Sequence, residues 1–448
     1  MLKSHTKNVA IIGGGIAGMA AAVNLTARGI PVTIFEAGSQ LGGRARSVAV
    51  EFNSRIVQLD NGQHIMLGAY TETLKLLAMV GMNESQAFTR LPLKLDIRSS
   101  VQQSSQTSVF RLSAWHFLPA PLHLLAGFMF CKGLLFSERI AVIKFMLMLK
   151  KINYKLTADT ALQDFLKAHQ QPISVITLLW EPLCLAALNT PINIASAQIF
   201  LNVLNDSFNH KKTDSDFLLP KHDLSQLFSI PIARYLVSKN VNIFFNQRIK
   251  EITSTELSGL KTFKINTKKD QLEFSHVIIA VSPSQLQSFT ESLPKLNEIA
   301  KETDLYNYQP IVTIYLQYAN NATIDSPMLG LAGGLGQWVF DRGILCDQPG
   351  LMAVIISAEG HHQKLTHDAL ALAIAKELHH AFPQLVKPMW HKVIAEKRAT
   401  FSCTPNLHRP THKTNDDKIF LAGDYTYGAY PATIEGAVCS GLNCAKLI

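Results

Sequence analysis

The sequence predicts an α/β protein built on a parallel sheet, with a second domain inserted into the sheet-bearing part. Three observations predict this class. A βαβ unit stands near the start of the chain, further apolar strands lie hundreds of residues away, and the stretches between them have helical periodicity or broad alternating strands. The 448 residues are enough for two or three domains.

The βαβ unit occupies the first 36 residues. Val9–Ile12 is a short apolar run typical of a buried parallel strand, and three glycines follow it. A helix is predicted over residues 17–28 with Gly29 as its stop, and a second strand over residues 32–36. This alternation predicts a doubly wound sheet.

Later strands of that sheet are predicted at residues 241–245, 274–281 and 418–422. A strand in the inserted part is predicted at residues 306–318, where Val312, Ile314 and Leu316 alternate with other residues. We therefore assign residues 1–83, 215–283 and 410–448 to a discontinuous nucleotide-binding domain. Residues 84–214 and 284–409 are assigned to a domain of mixed sheet plus helices that holds the substrate. A polar stretch at residues 99–108 is predicted to be a hairpin turn or mobile loop.

Composition narrows the function. With 47% hydrophobic and 17% charged residues, the chain is too apolar for a disordered, coiled-coil or collagen-like protein. Its net charge of +9 suggests an anionic partner, either nucleic acid or a membrane surface. The lysine pairs are short and lack interleaved aromatics, which argues against a nucleic-acid role. The six cysteines form no CxxC pair and the histidines no ligand pattern, so we predict a reducing compartment and no metal.

The glycine turn after the first strand carries the clearest chemical signal. Gly13, Gly15 and Gly18 form G-x-G-x-x-G between a strand and a helix, and Glu36 ends the next strand. The glycines allow a tight turn, close approach of backbone amides to a pyrophosphate, and packing of the helix on the strand. The Glu36 carboxylate is expected to accept hydrogen bonds from ribose hydroxyls. The sequence thus predicts a Rossmann-like dinucleotide site that disfavours NADP.

A second glycine pair, Gly42-Gly43, follows with Arg44 directly after it. More amides and a guanidinium fit a dinucleotide that continues past its pyrophosphate, which favours FAD over NAD. With Glu36, these residues resemble the FAD-dependent amine oxidase and carotenoid desaturase superfamily. The resemblance implies FAD in an extended conformation.

Gly423-Asp424 and the helix after it extend that resemblance. In the superfamily such a pair contacts the pyrophosphate and ribityl chain, and the helix points its N-terminus at the flavin. Pro431 is predicted in the first helical turn. Close packing is predicted for a face of small residues, Gly436, Ala437, Ser440 and Gly441. Further cofactor contacts are implied at Ile249, Thr433 and Ile434.

The middle of the chain resembles a narrower family. Asp60-Asn-Gly-Gln-His64 with Gly68-Ala-Tyr70, and the segments at 180–191 and 215–221, are similar to hydroxysqualene dehydroxylases of the hopanoid pathway, also called squalene-associated FAD-dependent desaturases. The resemblance implies a lipophilic C30 isoprenoid substrate and a reaction in which hydride replaces a hydroxyl group, giving squalene and water.

That chemistry needs a proton source and aromatic faces that tolerate an allylic cation. His64 and Asp60 are the candidate proton sources, although a structural role for His64 is at least as good an interpretation. The candidate aromatic residues are Trp180, Tyr425, Tyr427 and Tyr430, with Tyr430 included in the predicted catalytic set. The electron donor stays open.

The apolar segment 112–152 has two interpretations. Its hydrophobic residues are interrupted by charges and prolines, so we predict no transmembrane helix. Either a pair of helices lies on an anionic membrane with lysines toward phosphates, or the segment is buried core. The first interpretation places the protein in the cytoplasm, peripherally on the inner face of the cell membrane.

Two other functions remain open from the sequence. A carotenoid or phytoene-type desaturase or isomerase would share the terminal motifs but run the redox chemistry in the other direction. A prenyl-lipid escort protein would need no complete flavin site, and the intact set of Glu36, Arg44 and Asp424 argues against it.

Overall fold

The computed structural model describes residues 7–448 except 53, 102–107, 258–259, 269 and 427. Two sequence predictions touch residues outside this set. Residues 102–107 of the polar stretch at 99–108, and Tyr427, lie outside the described residues.

The described residues contain twenty strands. They are β1 Val9–Ile12, β2 Val32–Phe35, β3 Ser47–Phe52, β4 Arg55–Asp60, β5 Met66–Leu67, β6 Phe88–Leu91, β7 Lys94–Ser99, β8 Ser108–Ser113, β9 Phe217–Pro220, β10 Asn242–Phe244, β11 Thr253–Leu257, β12 Leu260–Asn266, β13 Gln271–Phe274, β14 His276–Ile279, β15 Tyr308–Gln317, β16 Met328–Ala332, β17 Trp338–Asp341, β18 Leu351–Ser357, β19 Trp390–Phe401 and β20 Ile419–Leu421.

Fourteen α-helices lie in the same described part of the chain. They are α1 Ile16–Ala27, α2 Thr71–Met79, α3 Glu84–Ala87, α4 Leu122–Met129, α5 Phe136–Lys151, α6 Leu162–Ala168, α7 Ile173–Val175, α8 Glu181–Leu188, α9 Ala197–Phe208, α10 Ile230–Ser238, α11 Asn297–Asp304, α12 Arg342–Cys346, α13 His367–Ala381 and α14 Ile434–Lys446.

The predicted parallel sheet is present, in the order β10-β2-β1-β14-β20. Every pairing in it is parallel, and Val9 lies opposite Val32 on one side and His276 on the other. All five strands that sequence analysis assigned to this sheet are found there. Strand β1 has its predicted bounds, and the other four are one or two residues shorter than predicted at one or both ends. The α/β class is therefore confirmed, while the division at 83, 214, 283 and 409 stays a prediction.

Helices α1 and α14 cover one face of this sheet together. Ile11 and Ile278 on the sheet share a buried cluster with Val23 of α1 and Val438 of α14. Gly29, at a φ of +73°, follows the end of α1 in the conformation expected of a C-terminal helix glycine. The two helices cross closely because position 441 is glycine: a Cβ there would lie 2.2 Å from the Ala17 carbonyl oxygen.

A seven-stranded sheet, β19-β15-β18-β17-β16-β7-β8, forms most of the second layer. The predicted strand at 306–318 is β15, and the alternating Val312, Ile314 and Leu316 pack under α13. The residues between them do not face water, because Thr313 and Tyr315 are also fully buried. The alternation correctly predicted the strand, and both faces of β15 are covered by other parts of the described chain.

The apolar segment 112–152 divides between core and surface. Helix α5 buries Val142, Phe145 and Leu149 against the rest of the helical layer, which favours the buried-core interpretation for the helix faces. The turns around α4 and α5 instead expose large apolar side chains. Among the described residues, every helix is either too short or too polar to traverse a lipid bilayer.

Two small sheets carry the segment from Asp60 to Tyr70 between the layers. The hairpin of β3 and β4 ends at Asp60, and β5 pairs with β9, so Met66 lies opposite Leu218. Gly68, just after β5, packs against the segment that precedes β9, where a Cβ would lie only 1.8 Å from the Thr213 carbonyl oxygen. The segment that contains His64 is therefore held at both ends.

Candidate flavin-binding site

Two glycine loops meet at the carboxyl ends of β1 and β2. The Gly42 amide donates a hydrogen bond to the Gly14 carbonyl oxygen at 2.8 Å, and a Cβ on Gly43 would lie 3.2 Å from the Cα of Gly15. Gly42 and Gly43 have φ values of +113° and +60°, a region that favours glycine. The loops thus form one continuous surface of backbone at the edge of the sheet where nucleotides bind in such folds.

The predicted duties of the first glycine motif are visible one by one. At Gly13, φ is +110° and a Cβ would lie 2.5 Å from the Ala280 carbonyl oxygen, so the turn requires glycine. A Cβ on Gly18 would lie 2.1 Å from the Gly13 oxygen, which explains the close helix-on-strand packing. At Gly15, the residue before α1, a Cβ would meet no described heavy atom within 4 Å. Only Gly15 is free of a packing reason to be glycine, and it borders the positive end of α1.

Glu36 organises the loop at the end of β2. Its carboxylate accepts hydrogen bonds from the Gly14 amide at 2.8 Å and the Gly38 amide at 2.6 Å. The Gln247 amide donates to the Glu36 carbonyl oxygen at 2.9 Å, so the segment after β10 runs alongside. Ile249, two residues further on, is buried. The predicted ribose acid and the predicted Ile249 contact therefore lie on the same side of the glycine loops.

Arg44 and Asp424 join the two ends of the sequence. One guanidinium nitrogen of Arg44, Nη2, lies 2.7 Å from each carboxylate oxygen of Asp424, and Nη1 donates to the Ala399 carbonyl oxygen at 2.7 Å. The neighbouring Asp424 charge raises the pKa of Arg44. The pair fixes the loop after β2 against the loop after β20.

Helix α14 begins later than the sequence predicted. Its first residue is Ile434, and the Thr433 hydroxyl caps it by accepting from the Gly436 amide at 2.9 Å. Pro431 was wrongly placed in the first turn: it precedes Ala432, which turns the chain at a φ of +59° before the helix starts. The loop that carries Asp424 still fixes the position of the α14 N-terminus, because the Ala432 amide donates a hydrogen bond to the Asp424 carbonyl oxygen at 3.1 Å.

The small residues around α14 have separate roles rather than one shared face. Gly441 admits α1, while a Cβ on Gly436 would lie 1.8 Å from the Tyr430 carbonyl oxygen. The Ser440 hydroxyl accepts from the Gly423 amide at 2.9 Å. A Cβ on Gly423 would in turn lie 2.3 Å from the Tyr425 ring. Ser440 therefore holds the loop of Gly423-Asp424 against the helix, Gly436 allows the loop at Tyr430 to approach, and Gly441 allows α1 to approach.

These residues fit FAD. A dinucleotide needs donors for its phosphates, and the site offers glycine amides and the helix N-terminus at Gly15. It also offers a carboxylate at Glu36. A second helix N-terminus, at Ile434, suits an electron-rich ring system. The Tyr425 hydroxyl is buried beside Asp424 and has no hydrogen-bond partner among the described residues. Gly13, Gly15, Gly18, Glu36, Gly43, Arg44, Ile249, Gly423, Asp424, Thr433 and Ile434 stay the predicted cofactor set.

The predicted catalytic residues have different surroundings. His64 is half-buried, and burial together with the Arg44 charge lowers its pKa to about 4. Tyr430 lies near Tyr70, with ring centroids 6.4 Å apart. Burial and a hydrogen bond to Asp206 raise the pKa of Tyr430 far above its usual value. Trp180 is fully buried in the helical layer, where its indole N–H donates to Gln171 at 3.0 Å.

Asp60 is held by a residue that sequence analysis did not identify. The Arg342 guanidinium Nη1 lies 2.9 Å from Asp60 Oδ2 and 2.6 Å from the Gln63 amide oxygen. The Leu224 amide donates to the other Asp60 oxygen at 2.7 Å. Burial raises the pKa of Asp60, and the Arg342 charge opposes that effect. The role of Asp60 as a proton source stays a prediction, but both of its carboxylate oxygens already have partners.

Glu435 is a second residue that the sequence did not single out. It is buried at the start of α14 and accepts from the Glu72 and Thr73 amides, each at 2.9 Å. These are amides of the first turn of α2, which a carboxylate stabilises. Glu435 therefore fixes α14 to the helix that follows Tyr70. The signal that could have identified Glu435 is its position directly after Ile434, in the first turn of a helix.

Fold and site together define an oxidoreductase of the dinucleotide-binding class. The sequence profile of the flavin containing amine oxidoreductase family matches residues 16–448, and the chain belongs to that family. It is an FAD-dependent oxidoreductase, and the prediction of FAD is confirmed.

Relatives in sequence agree with the narrower resemblance. The chain is 26% identical to the hydroxysqualene dehydroxylase of Sinorhizobium fredii and 27% identical to that of Zymomonas mobilis, with 98% of each chain covered in both comparisons. It is 23% identical to a zeta-carotene desaturase of Solanum lycopersicum, covering 98% of this chain and 80% of the relative. The similarity to hydroxysqualene dehydroxylases is thereby confirmed.

Solved structures share the fold. An oxidoreductase from Methanosarcina mazei superposes with a TM-score of 0.72 at 13% identity, covering 98% of this chain and 100% of the other. A triple mutant of putrescine oxidase gives 0.71 at 15% identity, covering 98% of each chain.

Proposed function

We propose that this protein reductively removes the hydroxyl group of hydroxysqualene to give squalene. The observation that carries the proposal is the similarity to hydroxysqualene dehydroxylases, which covers 98% of both chains. That similarity includes the middle of the sequence, where substrate contacts are predicted, and is not limited to the two terminal cofactor motifs. The complete FAD site supports it.

The proposed reaction breaks one carbon–oxygen bond and forms one carbon–hydrogen bond. Reduced FAD, when bound, supplies the hydride. The departing hydroxide takes up a proton and leaves as water, so one hydroxysqualene, one hydride and one proton give one squalene and one water. The chain must therefore orient the allylic carbon, exclude bulk water from it, and deliver the proton to the leaving oxygen.

The described geometry favours some proton donors over others. A histidine with a pKa of about 4 is neutral at pH 7, so His64 is suited to hydrogen bonding and not to donating a proton as an imidazolium. The Asp60 carboxylate is paired with the Arg342 guanidinium and is therefore poorly suited to donating a proton. We assign Asp60 to positioning the segment that carries His64. The phenol of Tyr430 keeps its proton, which makes Tyr430 the better candidate for a hydrogen bond to the leaving hydroxyl group, and donating to that group requires it to give up its hydrogen bond to Asp206.

A single-turnover experiment tests the proposal. Purified enzyme with FAD is photoreduced without oxygen and mixed with one equivalent of hydroxysqualene in detergent. We expect the 450 nm flavin absorbance to return while squalene forms in equal amount. A flavin that stays reduced beside unchanged hydroxysqualene would contradict the proposal. A Tyr430→Phe variant with full FAD content should slow this step at least tenfold.

A desaturase is the second candidate, favoured by the similarity to zeta-carotene desaturase. It removes hydrogen from a polyene, so it requires oxidised flavin. Mixing oxidised enzyme with phytoene or zeta-carotene under anaerobic conditions would then bleach the flavin. Bleaching with these polyenes, together with no reaction of the reduced enzyme with hydroxysqualene, would replace the proposed function by desaturation.

A further inference from the structure

A cluster of exposed aromatic side chains stands on the surface near α4. Trp115 stacks on Phe130, with ring centroids 4.9 Å apart and planes inclined by 13°, and it contacts Phe117 at 5.4 Å. Phe117 is 71% exposed and Phe130 is 61% exposed. Because burial of a Phe side chain is worth roughly 2–3 kcal/mol, two rings left this exposed can still bury apolar surface against a partner.

The cluster continues across the turn between α4 and α5. Leu135 and Phe136 at the start of α5 are exposed, as is Leu122 at the start of α4. Arg139 holds the two sides together, because its guanidinium donates to the carbonyl oxygens of Met129 and Leu134. We call this surface the aromatic patch; its members are Trp115, Phe117, Leu122, Phe130, Leu135 and Phe136.

Positive charge surrounds the aromatic patch. Lys132 is exposed between Phe130 and Leu135, and Lys144 is exposed on α5. The Lys212 ammonium donates to the His116 carbonyl oxygen at 2.8 Å, which fixes a third cation beside Phe117. The one acidic residue between positions 115 and 144 is Glu138, and its carboxylate is engaged by the Leu135 amide and the Ser174 hydroxyl. An exposed apolar surface with a basic rim matches an anionic lipid surface.

The aromatic patch also connects to the site. Helix α4 contacts Ser215 through His123, whose ring nitrogen lies 3.2 Å from the Ser215 hydroxyl. Strand β9 begins two residues later and pairs with β5, which begins two residues after His64. The aromatic patch is therefore linked to the segment that carries His64 through α4, β9 and β5.

We propose that the aromatic patch docks the protein on an anionic lipid bilayer, with the rings of Phe117 and Phe130 at the level of the headgroups and Lys132, Lys144 and Lys212 facing lipid phosphates. The contact is made by the turns that flank α4 and α5 and by the exposed first residues of these helices, whose inner faces are buried. It rests on the surface described above, and it would hold whether the substrate were a triterpenoid or another lipid.

Vesicle sedimentation of the FAD-loaded protein tests this proposal without any substrate. Vesicles of phosphatidylcholine with one third phosphatidylglycerol are compared with phosphatidylcholine alone, at low and high salt. We expect binding to the anionic vesicles, weakened by salt. Phe117→Ser/Phe130→Ser should lower the partition coefficient about tenfold or more, since two exposed rings leave the interface. Lys132→Gln/Lys144→Gln should reduce the preference for anionic lipid.

Matched controls come from exposed apolar residues elsewhere. Leu305 is 81% exposed, and Val386 is similarly exposed. Leu305→Ser and Val386→Ser should leave vesicle binding unchanged, and flavin absorbance should show that every variant is folded. Failure of the wild-type protein to bind anionic vesicles would overturn the proposal, as would wild-type binding by the Phe117→Ser/Phe130→Ser variant. A wild-type dimer that this variant converts to monomer, with no vesicle binding, would assign the aromatic patch to a second copy of the chain.

Discussion

Arg342 lies 2.9 Å from Asp60 across 282 positions of sequence, with the two side chains 1% and 3% exposed. The Tyr315 hydroxyl donates to the Asp60 carbonyl oxygen at 2.9 Å, and the Arg342 guanidinium stands 5.7 Å from the Tyr315 ring. These contacts join the segment that carries His64 to the seven-stranded sheet. A mobile His64 segment would blur any chemistry that depends on its position.

The pair should matter greatly to stability when it is broken from one side. Arg342→Met leaves the Asp60 carboxylate buried without its cation, and we expect the free energy of unfolding in urea to fall by about 3–5 kcal/mol. The double variant Asp60→Leu/Arg342→Met should recover much of the loss. The exposed pair of Lys75 and Glu72 is the control, and Lys75→Met should leave the free energy of unfolding nearly unchanged. Equal losses at both pairs would contradict this view of the buried one.

Gly15 and Gly18 should separate cofactor binding from folding. Gly15→Ala meets no described atom within 4 Å, so the thermal stability of the protein without FAD should stay unchanged. We expect FAD affinity to fall roughly tenfold or more, because the methyl group occupies the approach to the amides. Gly18→Ala meets the Gly13 carbonyl at 2.1 Å and should lower both stability and affinity. Unchanged FAD affinity in Gly15→Ala, measured by fluorescence titration, would remove Gly15 from the cofactor set.

Arg44 should contribute more to cofactor retention than to stability. It is 38% exposed and pairs with Asp424, so the pair itself is partly screened by water. Arg44→Met frees the two loops from each other, and we expect FAD affinity to fall about 10- to 100-fold. Arg55→Met, at an exposed arginine of β4, is the control and should bind FAD as the wild type does. Both affinities follow from equilibrium dialysis.

His64 should make stability depend on pH in a narrow window. Its pKa in the folded protein, about 4, lies below the usual 6.5, so the unfolded chain binds the proton more readily between those values. Stability should therefore fall as pH drops from about 6.5 toward 4, by up to about 1.4 kcal/mol per unit. His64→Gln should lack this component. Parallel pH profiles for both proteins would show that His64 titrates normally.

Prediction from sequence worked best where the signal was local. The turn at Gly13, the stop at Gly29 and the apolar parallel strands each follow from neighbouring residues, because backbone conformation and burial leave their mark within a few positions. The strand order is then limited by the connection rules of parallel sheets.

Longer-range features escaped prediction for a physical reason. An arginine at position 342 looks like any surface arginine until the fold brings Asp60 to it, and a buried pair leaves no local pattern. The alternation in β15 could not reveal that Thr313 and Tyr315 would also be covered. Pro431 was placed in the helix because proline suits a first turn, but the Ala432 backbone turns the chain first.

The parallel sheet also has a consequence for synthesis on the ribosome. Strand β1 is synthesised long before its neighbour β14, which begins at position 276, and the helix that packs on α1 through Gly441 is synthesised later still. Until then the apolar faces of β1 and α1 lack most of their native partners. The nascent chain must therefore postpone its long-range pairing, which makes folding slow and exposes it to aggregation. Chaperone dependence should accordingly be greatest before β20 and α14 are released.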